Sequence, residues 1–314
     1  MYEQFYGLKE RPFELTPNPR YLLLTPMHQE ALSSLEYAIS ARRGIAVLIG
    51  EAGTGKTTLL RKVLEHGATS STTASGDAFV YLNNPALSRN DFFQLLGERF
   101  GLGAGLSKLQ LLRELESALV ERHARGHVAA LIVDEAQSMP HELLEELRLL
   151  ANIESAAAQL LQLVLAGQPE LGDRLNDPSL RQFKQRVAVR CRLMPFEARE
   201  TLAYIDGRVR LAGGDPIQLF TRDAVIAVHH ASSGIPRTIS VICDNALLAG
   251  FAGDERPVDK ATVEEVCRDL DLAGLTVSVA KAQVPRLTDA VSFAAPNRHC
   301  IQPAVTSPLV EARR

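Results

Sequence analysis

The hydrophobic residues of this chain fall into two kinds of run. Short, continuously apolar segments are typical of strands that are buried on both faces of a parallel sheet. They are separated mostly by stretches with helical spacing, such as the leucines 109, 112, 115 and 119. This alternation predicts a doubly wound α/β domain with right-handed crossovers. The five predicted strands are Ile45–Ile49, Ala78–Leu82, Ala129–Val133, Leu161–Ala166 and Val187–Leu193.

The pattern changes twice more along the chain. Residues 1–26 are rich in aromatics and prolines and predict an irregular lead-in, which precedes the α/β domain of residues 27–195. After Pro195 only helical patterns follow, so residues 196–273 predict a smaller, all-helical domain. Residues 274–314 are broken by prolines and lose the periodic leucines, which predicts a disordered or linker-like tail.

The composition excludes only a few classes of protein. The 314 residues are 46% hydrophobic and carry a formal net charge of −3, which excludes a protein that binds nucleic acid through bulk positive charge. The chain start lacks a signal-peptide layout, and the longest apolar runs fall short of the roughly 20 residues of a membrane span. We therefore expect no transmembrane segment, a cytoplasmic protein and reduced cysteines.

The first predicted strand runs into a phosphate-binding (Walker A) pattern. Residues 50–57 fit G-x-x-x-x-G-K-[ST], and a helix is expected to begin at Lys56. Glycines allow backbone N–H groups to point at phosphate oxygens, while Lys56 reaches the β- and γ-phosphates of ATP and the Thr57 hydroxyl ligates Mg²⁺. The predicted nucleotide-binding residues are Gly50, Glu51, Ala52, Gly53, Thr54, Gly55, Lys56, Thr57 and Thr58.

An acidic pair follows the third predicted strand, as in a Walker B motif. Carboxylates at the carboxyl end of a parallel strand lie on the ligand edge of the sheet. Asp134 is therefore a predicted Mg²⁺ ligand and Glu135 a predicted base for the attacking water. An acidic pair after a strand can also be an ordinary loop or helix cap.

Two groups of arginines could stabilise the negative charge that develops on the γ-phosphate. Arg237 follows a Gly-x-Pro turn at the first turn of a predicted helix, and Arg181 and Arg186 flank a predicted helix end before the fifth strand. Either Arg181 or Arg186 could serve a neighbouring subunit. The alternative for all three is a solvated surface position.

Two other clusters of polar residues are predicted to have structural roles. Glu142, Glu145 and Glu146 predict a solvated face near a helix N-terminus, where negative charge suits the helix dipole. The adjacent His229 and His230 suit packing within the helical domain.

Together these motifs resemble those of AAA+ ATPases, and more narrowly the ATPase module of the ExeA-type family of general secretion. The narrower resemblance lies in Phe5-Tyr-Gly-Leu, His28-Gln-Glu-Ala-Leu, Tyr81-Leu-Asn-Asn-Pro, Asp134-Glu-Ala-Gln, Gly167-Gln-Pro-Glu-Leu and Ala203-Tyr-Ile-Asp-Gly-Arg. It covers about residues 1–272. It implies an AAA+ core with a helical lid, ATP hydrolysis with Mg²⁺, and a ring or other homo-oligomer.

The resemblance also implies roles for single residues. Gln168 would be the first sensor, in place of a more usual Asn or Thr, Arg237 the second sensor, and Arg186 the finger that acts on a neighbour's nucleotide. The partner would belong to a secretion, pilus or exopolysaccharide-export system, at the inner face of the membrane. The adenine pocket would form between lead-in and lid, where Phe13, Tyr21 and Ile205 either stack on the base or simply pack.

Two alternative functions remain open. Transposition regulators share this ATPase module, so a DNA-associated regulator is one alternative, although the chain is slightly acidic and shows no appended helix-turn-helix. The other is a nucleotide-binding switch with little turnover, against which the intact Glu135 argues.

Overall fold

A five-stranded, all-parallel sheet lies at the centre of the computed structural model, which describes residues 1–14, 24–70, 77–83, 85–103, 105–154 and 158–272, with the side chains of 68–70 excepted. The strand order is β2-β3-β4-β1-β5, so β1 lies between β4 and β5. The predicted doubly wound α/β class is confirmed. The strands are β1 Ile45–Gly50, β2 Ala78–Leu82, β3 Ala129–Val133, β4 Leu161–Gly167 and β5 Val187–Leu193.

The burial of the strands explains why they read as apolar runs. Every residue of β1, β3 and β4 is buried, because helices cover both faces of the central strands. Along β1, Val47 contributes to the core on one face of the sheet and Leu48 to the core on the other. The edge strand β5 alternates instead, with Cys191 buried and Arg190 and Arg192 exposed.

Helices pack on the two faces of the sheet and then form the lid. In the α/β part they are α2 Pro26–Ser40, α3 Lys56–Ser70, α4 Arg89–Phe100, α5 Lys108–Ala124, α6 His141–Leu150, α7 Pro169–Leu175 and α8 Arg181–Gln185. After Phe196 they are α9 Ala198–Leu211, α10 Pro216–Leu219, α11 Arg222–Ser232, α12 Pro236–Ala252 and α13 Lys260–Asp269. The predicted all-helical lid is therefore present, with a hydrophobic core of its own.

The lead-in is not irregular throughout, which corrects the prediction. Residues Tyr2–Tyr6 form a helix, α1, that ends at Gly7 in the left-handed conformation. Tyr2 and Tyr6 are four residues apart and are both buried in the lid core, and the Tyr6 hydroxyl donates to the Glu255 carbonyl. Tertiary packing against the lid thus stabilises a helix too short to form alone.

One glutamate of α6 also departs from the prediction. Glu142 is exposed, but Glu146 is only 4% exposed. Its carboxylate accepts from Lys108 Nζ at 2.7 Å and from the Arg89 guanidinium. The apolar stripe of α6 faces the sheet, and two cations from neighbouring elements make it possible to bury this carboxylate beside that stripe.

Candidate functional site

The phosphate loop joins β1 to α3 at the carboxyl edge of the sheet. Gly53 and Gly55 have φ angles of +82° and +98°, which side chains other than glycine rarely adopt. A Cβ atom at Gly53 would also lie 2.7 Å from the Arg237 Cβ atom. At Gly50 it would lie 2.7 Å from the Thr54 hydroxyl oxygen, although φ is ordinary there. The loop therefore needs its glycines for both conformation and space.

Lys56 spans this loop with its ammonium group. Lys56 Nζ donates to the carbonyl oxygens of Gly50 at 2.7 Å and Glu51 at 2.9 Å, and the side chain is buried. Burial lowers the pKa of Lys56, while the charges of Glu135 and Asp134 oppose this shift. These two hydrogen bonds hold the ammonium group of Lys56 within the turn of the phosphate loop.

Asp134 accepts more hydrogen bonds than Glu135, the other carboxylate of the acidic pair. Its Oδ2 accepts from the Thr57 hydroxyl at 2.6 Å and from the Tyr81 hydroxyl at 3.0 Å, and its Oδ1 accepts from the Glu135 N–H. Burial, followed by the charge of Asp134, raises the pKa of Tyr81. The structure thus brings the two predicted Mg²⁺ ligands, Thr57 and Asp134, into direct contact.

Glu135 is held by two amides. Gln137 Nε2 donates to Glu135 Oε2 at 2.6 Å, and Gln168 Nε2 reaches the same oxygen at 3.3 Å. Gln137 Oε1 in turn accepts from the Gln168 backbone N–H at 3.1 Å. Glu135 itself has a φ of 53°, a conformation that costs a non-glycine residue about 1 kcal/mol or more and that clusters at functional sites.

The lid meets the loop at the start of α12. The backbone N–H of Arg237 donates to the Gly53 carbonyl at 3.2 Å, and the Ile235 side chain lies against Gly53. The Arg237 side chain is exposed. The predicted second-sensor arginine thus lies in the first turn of a lid helix, and its backbone contacts the phosphate loop directly.

The arginines before β5 are placed differently. Arg181 and Arg186 are exposed, and Arg186 makes one long contact of 3.5 Å to the Ala151 carbonyl. No acidic residue occurs between Pro178 and Phe196, and within the described part of the chain no cation of this segment forms an ion pair. The exposed cations of this arginine segment are Arg181, Lys184, Arg186, Arg190 and Arg192.

The adenine candidates occupy the lid core. Phe13 is fully buried and meets Phe220 edge-on, with ring centroids 6.1 Å apart. Ile205 is buried in the same core. The structure therefore gives both residues a packing role, the second of the two interpretations, while Tyr21 lies outside the described residues.

Comparisons with known proteins support the resemblance. A family model described as an AAA domain matches residues 39–175. General secretion pathway protein A of Aeromonas hydrophila is 40% identical over 284 residues, which are 88% of this chain and 49% of that protein. The chain thus contains an AAA domain, and it resembles an ExeA-type protein of general secretion over 88% of its length.

Two further relatives place this ExeA-type module more broadly. The Mu-like prophage FluMu DNA transposition protein B of Haemophilus influenzae is 30% identical over 152 residues, 48% of this chain and 47% of that protein. The chain thus spans about half the length of the curated relatives it matches. The crystal structure of Cdc6p from Pyrobaculum aerophilum aligns with a TM-score of 0.60 at 20% identity, covering 78% of this chain and 67% of that one. This last likeness supports the fold.

Two residues of this site, Tyr81 and Gln137, were not predicted from the sequence as functional residues. Tyr81 is the penultimate residue of β2 and Gln137 follows the acidic pair by two residues, and both lie in motifs that carry the resemblance. Their position near the carboxyl ends of β2 and β3 is the signal that could have identified them, since parallel strands bring their carboxyl ends to one edge of the sheet.

The described residues contain no helix that is both long and apolar enough to cross a membrane.

Proposed function

We propose that the ExeA-type module is an Mg²⁺-dependent, oligomeric ATPase that energises or remodels a protein partner of an export system. The observation that carries the proposal is the 2.6 Å contact between Thr57 and Asp134, beside Lys56 and Glu135. A hydroxyl and a carboxylate that converge on one point are the hard oxygen donors that Mg²⁺ prefers. The donor set fits the ion.

The residues divide the chemistry among themselves. Lys56 and the loop N–H groups bind the phosphates, while Thr57 and Asp134 would hold Mg²⁺, which when bound neutralises charge on the β- and γ-phosphate oxygens. Glu135 accepts a proton from water as the water attacks the γ-phosphorus and the bond to the ADP oxygen breaks. Gln168 orients that water through the amide that also contacts Glu135.

The two arginine sites take different roles in this proposal. Arg237 reports nucleotide state to the lid, because α12 begins at the loop. Arg186 acts on the nucleotide of a neighbouring copy, because its exposed side chain has no ion-pair partner among the described residues. A second copy is therefore needed to complete each active site.

The partner and location follow from the relative's name alone. General secretion pathway protein A is named for secretion, so we infer an export-system partner. Such a system favours a cytoplasmic module, peripheral to the inner face of the membrane. Pilus and exopolysaccharide export belong to the same proposal.

A DNA-associated regulator is the second candidate function. Two observations favour it: the likeness to a DNA transposition protein and the run of exposed cations in the arginine segment. Binding to duplex DNA that weakens steeply as salt rises would support it, because phosphate contacts release counterions. DNA-stimulated turnover would favour this candidate over an export role.

Steady-state ATP hydrolysis over a wide range of protein concentration tests the proposal. We expect specific activity to climb with concentration, to require Mg²⁺, and to fall by about a hundredfold or more in Glu135→Gln and Arg186→Ala. Arg181→Ala is the matched control, since it removes a cation from the same segment.

Three outcomes would change the account. Flat specific activity with a normal Arg186→Ala would contradict the shared site. Loss of activity in Arg181→Ala alone would transfer the finger role to Arg181. ATP binding without turnover, with or without DNA or membrane extract, would favour the switch.

A further inference from the structure

A buried histidine lies between the phosphate loop and the lid. His28 is the third residue of α2, and Thr25 caps that helix by accepting from the His28 backbone N–H. Only 2% of His28 and 5% of Thr25 is exposed. A capping threonine normally lies at the surface. Its burial together with a histidine indicates that both side chains form hydrogen bonds inside the protein.

The hydrogen bonds of His28 fix its tautomer. His28 Nε2 lies 3.1 Å from the Thr54 carbonyl oxygen, which can only accept, so Nε2 carries the proton. The Thr25 hydroxyl, 2.7 Å from Nδ1, then donates to that nitrogen. Burial lowers the pKa of His28, which keeps the ring neutral and in this tautomer.

The contact to Thr54 sets the orientation of a peptide within the loop. In a trans peptide the carbonyl and the following N–H point in opposite directions. Because His28 holds the Thr54 carbonyl on the α2 side, the Gly55 N–H points away from α2. A Cβ atom at Gly55 would lie 3.5 Å from His28 Nε2, so the ring sits directly against this peptide.

The other side of the ring faces the lid connection. His28 meets Phe196 edge-on, with ring centroids 5.7 Å apart, and Phe196 is the residue at which the lid begins. The Phe196 N–H donates to the Gly234 carbonyl at 2.7 Å, and Gly234 has a φ of +74°. A Cβ atom at Gly234 would lie 2.1 Å from the Phe196 carbonyl oxygen, so the two backbones pack too closely for any residue other than glycine.

We propose that His28 is a positioning residue for ATP hydrolysis, which fixes the Thr54–Gly55 peptide of the phosphate loop and couples that peptide to the lid through Phe196. This link is independent of the contact between Gly53 and Arg237. It rests on the proposed binding of ATP in the loop, and it requires neither an oligomer nor a partner.

Three substitutions at one position separate the hydrogen bond from the bulk of the ring. His28→Gln can place an amide donor where Nε2 lies, His28→Asn is too short to do so, and His28→Ala removes both ring and donor. The affinities for ATP and ADP are measured by titration, and kcat and KM by steady-state hydrolysis, at temperatures below each variant's unfolding midpoint. His229→Ala is the control, because it removes a similar contact to Thr201 within the lid.

We expect His28→Ala and His28→Asn to weaken ATP binding by about tenfold and to lower kcat, because the buried carbonyl loses its donor and the peptide can rotate. His28→Gln should return both values to within about threefold of the wild type. His229→Ala should leave both unchanged.

The outcomes separate this inference from the proposed function. A wild type that binds no ATP overturns both. A wild type that turns over, with His28→Asn equal to it, overturns this inference alone, as do folded Gln and Asn variants that are equally impaired. If His28→Ala fails to fold, the Gln and Asn pair still decides.

Discussion

The phosphate-loop side and the arginine segment of this molecule are built in opposite ways. On the phosphate-loop side, Lys56 and Asp134 are buried and each hydrogen-bonded within the same chain. In the arginine segment the cations lie exposed on α8 and the edge strand β5. Residues of the first kind are positioned by their own chain, whereas residues of the second kind lie at the surface and form no ion pair within the described part of the chain.

Nucleotide binding and turnover should therefore depend on different parts of the molecule. Binding of nucleotide should depend on the buried side alone, since its donors are already in place. Turnover should depend on both sides, because charge stabilisation in phosphoryl transfer gains most from a cation held against the reacting phosphate.

The largest effect is expected for Glu135→Gln. The substitution keeps the shape of the side chain but removes the base, so kcat should fall by about 10²–10⁴-fold. The affinity for ATP should remain near that of the wild type, because Glu135 does not contact Lys56 or Thr57 by a hydrogen bond. Isothermal titration beside hydrolysis assays checks this, and a variant that loses ATP affinity as strongly as kcat would contradict it.

The next effect is expected for Arg186→Ala. Turnover should fall by about a hundredfold at saturating protein, since one electrostatic stabiliser of the transition state is lost. The ATP affinity of dilute protein should not change, because the side-chain contact of Arg186 is to the Ala151 carbonyl and not to the phosphate loop of its own chain. Arg190→Ala and Arg192→Ala on the exposed face of β5 are matched controls that lose a similar charge. Equal losses in all three variants would point to general electrostatics instead of a finger.

A moderate effect is expected for Gln137→Ala. Gln137 joins Glu135 to the Gln168 backbone, and its loss frees the base to adopt other rotamers. We expect kcat to fall about tenfold with little change in KM, because the residue positions the base without binding phosphate. Gln94→Ala is the control, since Gln94 also donates to a glutamate, at an exposed site. A change in KM alone would show that Gln137 acts on binding instead.

The smallest effect concerns pH and stability. Burial lowers the pKa of His28, so the unfolded chain binds more protons than the folded one near and below the ordinary histidine pKa. The resulting stability is present above that ordinary pKa and is lost as pH falls through the lowered one. Burial, and next the charge of His230, lowers the pKa of His229 as well, so that residue contributes in the same direction.

Thermal unfolding at pH 7.5 and pH 5.5 checks this expectation. The wild type should lose more stability on acidification than His28→Gln, which has no group to protonate at this position. Parallel losses in the two proteins would show that His28 is not the group that titrates.

The sequence predicted what depends on local pattern and failed where tertiary contact decides. The strands and the phosphate loop could be predicted because buried parallel strands are apolar throughout and a glycine-rich turn has few alternatives. Helix α1 was missed because only the lid stabilises it, and Glu146 because its partners Arg89 and Lys108 lie far away in sequence. His28 was noted within a motif, but its contact with the Thr54 carbonyl has no sequence signature.

The most direct test of a site shared between copies is a mixing experiment. Glu135→Gln has an intact Arg186 and a dead site of its own, while Arg186→Ala has an intact site and no finger to offer. If arginine and base act on the same nucleotide from different chains, two inactive proteins should regain ATP hydrolysis when mixed, with the highest activity near equal amounts. Activity that never rises above the weighted mean of the two variants, under conditions where they co-assemble, would contradict the shared site.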